Sequence, residues 1–203
     1  MVEQRAFNPW VSGSNPLWRT NYPGVAQMVE RVVWDHEAGS SNLPTRTNYD
    51  NKVVRYMTYN EEVRDLFTVS DDYYLAHCIS ADFGMGKGIV VEFNKRLDMK
   101  RRLKSKYPDY LNEWRHNNWC GDCILEGRVL NLITKERYFH KPSYESLLSA
   151  LLICRLQCVD SGIKKIAMPI IGCGLDKLQW DRVSEIIKNV FKDTDIDILV
   201  CKR

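Results

Sequence analysis

Met168-Pro169-Ile170-Ile171-Gly172-Cys173-Gly174-Leu175-Asp176 is the end of an apolar run that opens at Lys165 and breaks on two glycines. A short apolar run ending in a glycine turn reads as a buried strand feeding a loop. Beyond it, Trp180, Val183, Ile187, Val190 and Phe191 recur at helical spacing, so strand and loop pass into a helix. Residues 196–201 supply a further strand. Working back toward the N-terminus, Tyr144, Leu147, Leu148, Leu151 and Leu152 share one face of a helix that follows Pro142 and stops at Gly162. Residues 122–126 and 128–134 flank Gly127 as a β-hairpin. Residues 73–80 are another apolar strand, and it feeds the loop Ser80-Ala81-Asp82-Phe83-Gly84-Met85-Gly86-Lys87-Gly88, which runs into a segment with helical potential. Strands and helices alternate, so the fold class is α/β: a parallel or mixed central sheet with helices on both faces.

The composition of the chain breaks in two. Residues 1–56 hold no isoleucine, no cysteine and a single lysine, Lys52, yet three of the six tryptophans and four of the seven prolines. Residues 57–203 hold thirteen isoleucines, all seven cysteines and thirteen lysines. The expected division is a non-globular extension over 1–56, with a mis-assigned start, and one folded domain over 57–203. The first part repeats at a period of 27: Met1-Val2-Glu3 returns as Met28-Val29-Glu30, Ser14-Asn15 as Ser41-Asn42, and Arg19-Thr20-Asn21-Tyr22 as Arg46-Thr47-Asn48-Tyr49. Two such copies cannot bury a stacked core, and neither has amphipathic spacing. The strings GVAQMVER (24–31) and GSNP (13–16) resemble the D-arm and T-loop of a transfer RNA gene translated as protein, so residues 1–50 resemble two tandem tRNA genes read in frame.

Several function classes fall away early. A chain of 203 residues that is 44% hydrophobic is not wholly disordered. No stretch approaches the ~18 consecutive apolar residues of a membrane span. Met1 is followed by Val2-Glu3-Gln4-Arg5 rather than by a basic and then apolar leader, so the expected location is cytoplasmic, with reduced thiols. A net charge of +3 does not by itself imply a nucleic-acid partner.

Both glycine-containing loops follow strand ends, where open α/β sheets bind ligands. In the second, the backbone N–H groups of 172–175 and the following helix terminus can hold an anionic diphosphate. By itself a G-x-G turn is more often a plain connection, and without a third glycine it is not the dinucleotide fingerprint.

The strings in combination are far more specific. Arg64-Asp65-Leu66-Phe67, Leu75-Ala76-His77-Cys78-Ile79-Ser80, Gly86-Lys87-Gly88-Ile89, Leu132-Ile133-Thr134-Lys135, His140-Lys141-Pro142, and the stretch from Met168 to Asp176 with Leu178-Gln179-Trp180 together resemble the macro domain family. Within it they resemble the terminal ADP-ribose protein glycohydrolase branch, in the same order across residues 57–203. Arg64 departs from the pattern, standing where the family usually has glycine. The resemblance implies a three-layer α/β/α fold with a mixed sheet and an ADP-ribose site. Asp65, with Leu66 beside it, is the implied adenine contact; Ser80, Gly86, Gly88 and Ile89 line the distal ribose; Ile170, Ile171, Gly172, Cys173, Gly174 and Leu175 hold the diphosphate. It also implies Lys135 as a nucleophile toward the anomeric carbon and Asp176 as general acid and base. The competing plain readings are a turn-capping aspartate for Asp65, and a surface lysine and helix N-cap for Lys135 and Asp176. A lysine attacks only when neutral, and partial burial near other cations would favour that form.

No cofactor or metal is expected: Cys120-x-x-Cys123 has no second ligand pair. Cys154 and Cys158 read as core thiols, and His77 as a hydrogen-bonded core residue rather than a base. Lys95, Arg96, Lys100, Arg101, Arg102, Lys104 and Lys106 read as a solvated helix face or as a nucleic-acid surface beside the site. The expected partner is ADP-ribose or an ADP-ribosylated protein or nucleic acid, met by a monomer. Three functions compete: a hydrolase removing ADP-ribose from an acidic side chain or a nucleobase, a phosphatase acting on ADP-ribose-1''-phosphate, and a reader without chemistry. Lys135 and Asp176 together favour the first, since a reader needs neither as a reactive group.

Overall fold

The computed structural model describes residues 56–202. Apart from Tyr56, the 1–56 extension and the repeat within it lie outside the described residues. The elements in chain order are β1 (Thr58–Val63), a single 3-10 turn (Leu66–Thr68), β2 (Tyr74–Ser80), α1 (Val90–Leu97), α2 (Met99–Lys106), α3 (Tyr110–His116), β3 (Asp122–Glu126), β4 (Val129–Lys135), α4 (Tyr144–Asp160), β5 (Lys165–Pro169), α5 (Trp180–Phe191) and β6 (Asp197–Lys202). The six strands form one mixed sheet in the order β1-β6-β5-β2-β4-β3. All neighbours are parallel except the β3–β4 hairpin, whose turn places Gly127 at φ +60°.

The strands alternate between two cores, which is why they read as apolar runs rather than as half-polar ones. Ala76, Leu130, Leu132, Ile166, Met168, Ile198 and Val200 face α4 and α5; Leu75, Ile79, Val129, Ile133, Ala167 and Leu199 face α1, α2 and α3. The result is the expected α/β/α sandwich. Helix α4 is buried beyond its leucine face, through Ala150, Ile153, Cys154 and Cys158, because α5 packs with it in the same core. Its start carries a reciprocal cap, with Ser143 Oγ accepting from Ser146 N and Ser146 Oγ accepting from Ser143 N, both at 3.0 Å.

Three sequence expectations shift. Strand β5 ends at Pro169 and α5 starts only at Trp180, with Gln179 at its N-cap. The loop between them is therefore longer than expected, and Asp176 is not a helix cap. The basic run does not lie on one helix, because Asp98 takes the left-handed conformation (φ 51°) and separates α1 from α2. Within that run Arg96 pairs with Glu92, Arg101 with Asp98, and Arg102 and Lys106 with Glu126. Only Lys95, Lys100 and Lys104 of the seven cations lack a carboxylate partner among the described residues.

Candidate functional site

Parallel pairing sends the C-terminal ends of β1, β6, β5, β2 and β4 to one edge of the sheet. Each of the expected site segments follows one of those ends. Asp65 follows β1, residues 170–176 follow β5, residues 80–89 run on from β2, and Lys135 is the last residue of β4. One sheet edge therefore presents every segment.

At the β1 end, Asp65 caps the 3-10 turn: its Oδ1 accepts from Phe67 N at 3.0 Å and its carbonyl from Thr68 N at 3.0 Å. The turn-capping reading is realised in the structure. Leu66 is buried in the same core as Ala167 and Leu199, which draws the turn over the β5 and β6 ends. Arg64, the departure from the family pattern, reaches across the turn and donates to Thr68 O at 3.0 Å.

The loop after β5 is shaped by Gly172, at φ +70°, where an added Cβ would sit 3.0 Å from Leu178 Cδ1. Leu178 N donates back to Gly172 O at 2.9 Å. Between those two points the amides of Cys173, Gly174, Leu175 and Asp176 have no protein acceptor among the described residues. A run of undirected N–H groups in a turn is the chemistry that holds an anion. The correction above moves that capacity from the helix terminus to the loop backbone. Ile171 turns into the α4–α5 core, Ile170 is half-buried, and Leu175 is exposed.

The loop after β2 brings Gly88, at φ +73°, against Leu175. Gly86 has open space around it, and Ile89 is 37% exposed. Ser80 is fully buried, and its hydroxyl donates to Asp82 Oδ1 at 2.5 Å, so it lies beneath the loop surface rather than on it.

Lys135 and Asp176, 41 positions apart, meet: Nζ donates to Oδ1, with the two side chains 12% and 13% exposed. The meeting depends on a bulge. Strands β2 and β4 run in register through Ile79–Ile133, and then Ser80 pairs with Lys135, which leaves Thr134 as an extra residue. One extra residue reverses the facing of the residues after it. Lys135 thereby joins the face of Ser80 and Cys78, the side on which Cys173 packs, instead of the α1–α3 side. Thr134 bears the cost, since its buried Oγ1 has no partner. The neighbour of Lys135 is a carboxylate, and not the other cations expected from the sequence.

Sequence reasoning missed three side chains here. Cys78 adjoins the pair, and burial first, then Asp176, pushes its thiol up to about 12. Lys141 Nζ donates to Leu175 O and ties the chain after β4 to the β5 loop. Asp82 bonds both to its own loop and to Tyr138 N. Cys78 and Lys141 stood in the strings Leu75-Ala76-His77-Cys78-Ile79-Ser80 and His140-Lys141-Pro142, and Asp82 in the loop after β2, but none was given a role there. His77 stacks on Phe93 at 3.8 Å, away from the pair, as a core residue. Among the described residues no three His, Cys, Asp or Glu side chains gather as metal ligands, and no helix is long and apolar enough to cross a membrane.

No family model matches the chain. The human ADP-ribose glycohydrolase OARD1 is 42% identical over 137 residues, covering 67% of this chain and 86% of that protein. Among solved structures, the macrodomain of Thermus aquaticus DarG superimposes with a TM-score of 0.59 at 17% identity, over 72% of this chain and 99% of that one. Thermosipho africanus DarTG in complex with ADP-ribose gives a TM-score of 0.54 at 16% identity, over 73% of this chain and 43% of that one. The fold, the ordered strings and the extent of the match to a named glycohydrolase lead to one conclusion: the chain belongs to the macro domain family, on its ADP-ribose glycohydrolase branch.

Proposed function

We propose that this protein is an ADP-ribose-binding hydrolase that removes ADP-ribose from an acidic side chain or a nucleobase, with Lys135 as the nucleophile and Asp176 as the proton carrier. The observation that carries the reading is the Lys135–Asp176 pair, nearly buried at the sheet edge that also presents the Asp65 turn and both glycine loops. A human relative named as an ADP-ribose glycohydrolase and a neighbour of the same fold in complex with ADP-ribose supply the substrate class.

Adenine lies by Asp65 and Leu66, the diphosphate on the amides of 173–175 with Ile170 and Ile171 behind them, and the distal ribose among Gly86, Gly88 and Ile89, above the buried Ser80. Lys135 passes a proton to Asp176 and becomes a neutral amine. Its nitrogen then bonds to the anomeric carbon as the bond to the carrier's oxygen or nitrogen breaks, the electron pair leaving with the carrier. Asp176 returns the proton to the departing group, or to solvent where a carboxylate leaves unprotonated, and is ionised again. Water, deprotonated by Asp176, displaces the lysine, and ADP-ribose departs.

The test is turnover of three substrates in parallel: protein modified on aspartate or glutamate, modified DNA, and ADP-ribose-1''-phosphate. Lys135→Ala is expected to abolish removal of ADP-ribose while changing the ADP-ribose Kd by less than about fivefold. Full activity in that variant would overturn the lysine mechanism. Turnover of the phosphate substrate alone would favour the phosphatase, and no turnover at all the reader.

A further inference from the structure

Asp82 lies in the loop after β2 but is neither part of the ion pair nor one of the residues assigned to the ligand, and its carboxylate joins three positions around the site. Oδ1 accepts from Ser80 Oγ at 2.5 Å and from Gly84 N at 3.1 Å, while Oδ2 accepts from Tyr138 N at 3.3 Å. Beside it the backbone continues the β2–β4 ladder beyond the bulge: Ala81 N donates to Lys135 O at 2.8 Å and Asp82 N to Glu136 O at 3.2 Å. Asp82 therefore holds the segment that follows Lys135 at two points, Glu136 through its backbone N–H and Tyr138 through its carboxylate. Two further features show how closely the loops are pressed together there. A Cβ on Gly84 would fall 2.6 Å from Tyr138 Cβ. Between Asp82 and Gly84, Phe83 sits at φ 52°, a conformation costly for a bulky residue, and stays buried in a stack on Tyr110 at 5.1 Å.

We propose that Asp82 is a positioning residue for the reaction: by clamping the loop after β2 to the segment after β4, it fixes the bulged end of β4 so that the Lys135 amine stays against Asp176. The proposal rests on the reading of Lys135 as the nucleophile. Asp82 does not touch the amine, and its contact with the ribose segment is to Ser80, which is buried beneath the loop surface, so its effect falls on the chemical step rather than on binding.

Asp82→Asn in the full chain is the discriminating variant. The amide keeps one acceptor oxygen for Ser80 and Gly84 but presents an NH2 group where Tyr138 N–H needs an acceptor. Its kcat is expected to fall 10- to 100-fold, with ADP-ribose Kd and substrate KM within about threefold of the parent. Asp82→Glu, which restores a carboxylate, is expected to recover part of kcat. Lys135→Ala is measured alongside. A kcat within twofold of the parent in Asp82→Asn, or losses of kcat and ADP-ribose affinity in equal proportion, would overturn the positioning role and leave the lysine mechanism standing. Full turnover in Lys135→Ala would overturn both.

Discussion

The buried imidazole of His77 shows how a single residue links sequence to pH behaviour. Its Nε2 donates to Asn131 Oδ1 at 2.8 Å, while Nδ1 is buried without a partner. Burial lowers its pKa from 6.5 to about 4. The unfolded chain therefore takes up a proton near pH 6.5 that the folded chain refuses until about pH 4, so stability is full above 6.5 and declines as pH falls through that window. The decline owed to this one group is roughly 2 kcal/mol between pH 7.5 and 5. Denaturant titrations at the two pH values should show a smaller difference in His77→Gln than in the parent; equal differences would mean that His77 charges freely in the fold. The sequence placed His77 correctly because its neighbours Leu75, Ala76 and Ile79 mark a strand buried on both faces. It could not indicate the Asn131 partner, which lies 54 positions away on the adjacent strand.

Legibility at the level of elements followed burial. Strands β2, β4, β5 and β6 and helices α4 and α5 carry continuous or periodic apolar residues, and all were readable to within a few positions. Strand β1 was missed: Thr58-Tyr59-Asn60-Glu61-Glu62-Val63 is an exposed edge paired only with β6, so it shows no apolar alternation. The break between α1 and α2 was missed because it uses an aspartate, not a glycine or proline; aspartate tolerates the left-handed region better than most residues. The bulge at Thr134 is invisible in Leu132-Ile133-Thr134-Lys135, yet it decides which way Lys135 faces. The two catalytic candidates were legible as strings, and their meeting was not. A second close approach also went unread. Gly121 lies so near α4 that a Cβ would stand 2.2 Å from Ser146 O and 2.8 Å from Ala150 N, both backbone atoms that cannot yield without moving the helix. Gly121→Ala should destabilise the fold by about 3 kcal/mol in chemical denaturation, at the upper end for overpacking. An unchanged midpoint would refute so close a contact.

For the molecule as a whole, the parallel topology does the organising, since it delivers the Asp65 turn, the loops after β5 and β2, and Lys135 to one edge. All of these lie from β1 onward, and Met57 already packs against the core. A chain begun at Met57 should keep the melting temperature within about 2 °C and the ADP-ribose affinity within twofold; a large loss of either would show that residues 1–56 contribute to the fold. The basic run has a weaker claim to nucleic acid than its sequence suggested, because four of its seven cations already have carboxylate partners. The central claim is the covalent step. Asp176→Ala incubated with an ADP-ribosylated substrate, then digested and examined by mass spectrometry, should carry ADP-ribose on the peptide containing Lys135, because solvent can take the proton from the amine in place of Asp176 whereas the resolving water is left without its base. An unmodified Lys135, together with full turnover by Lys135→Ala, would contradict the account.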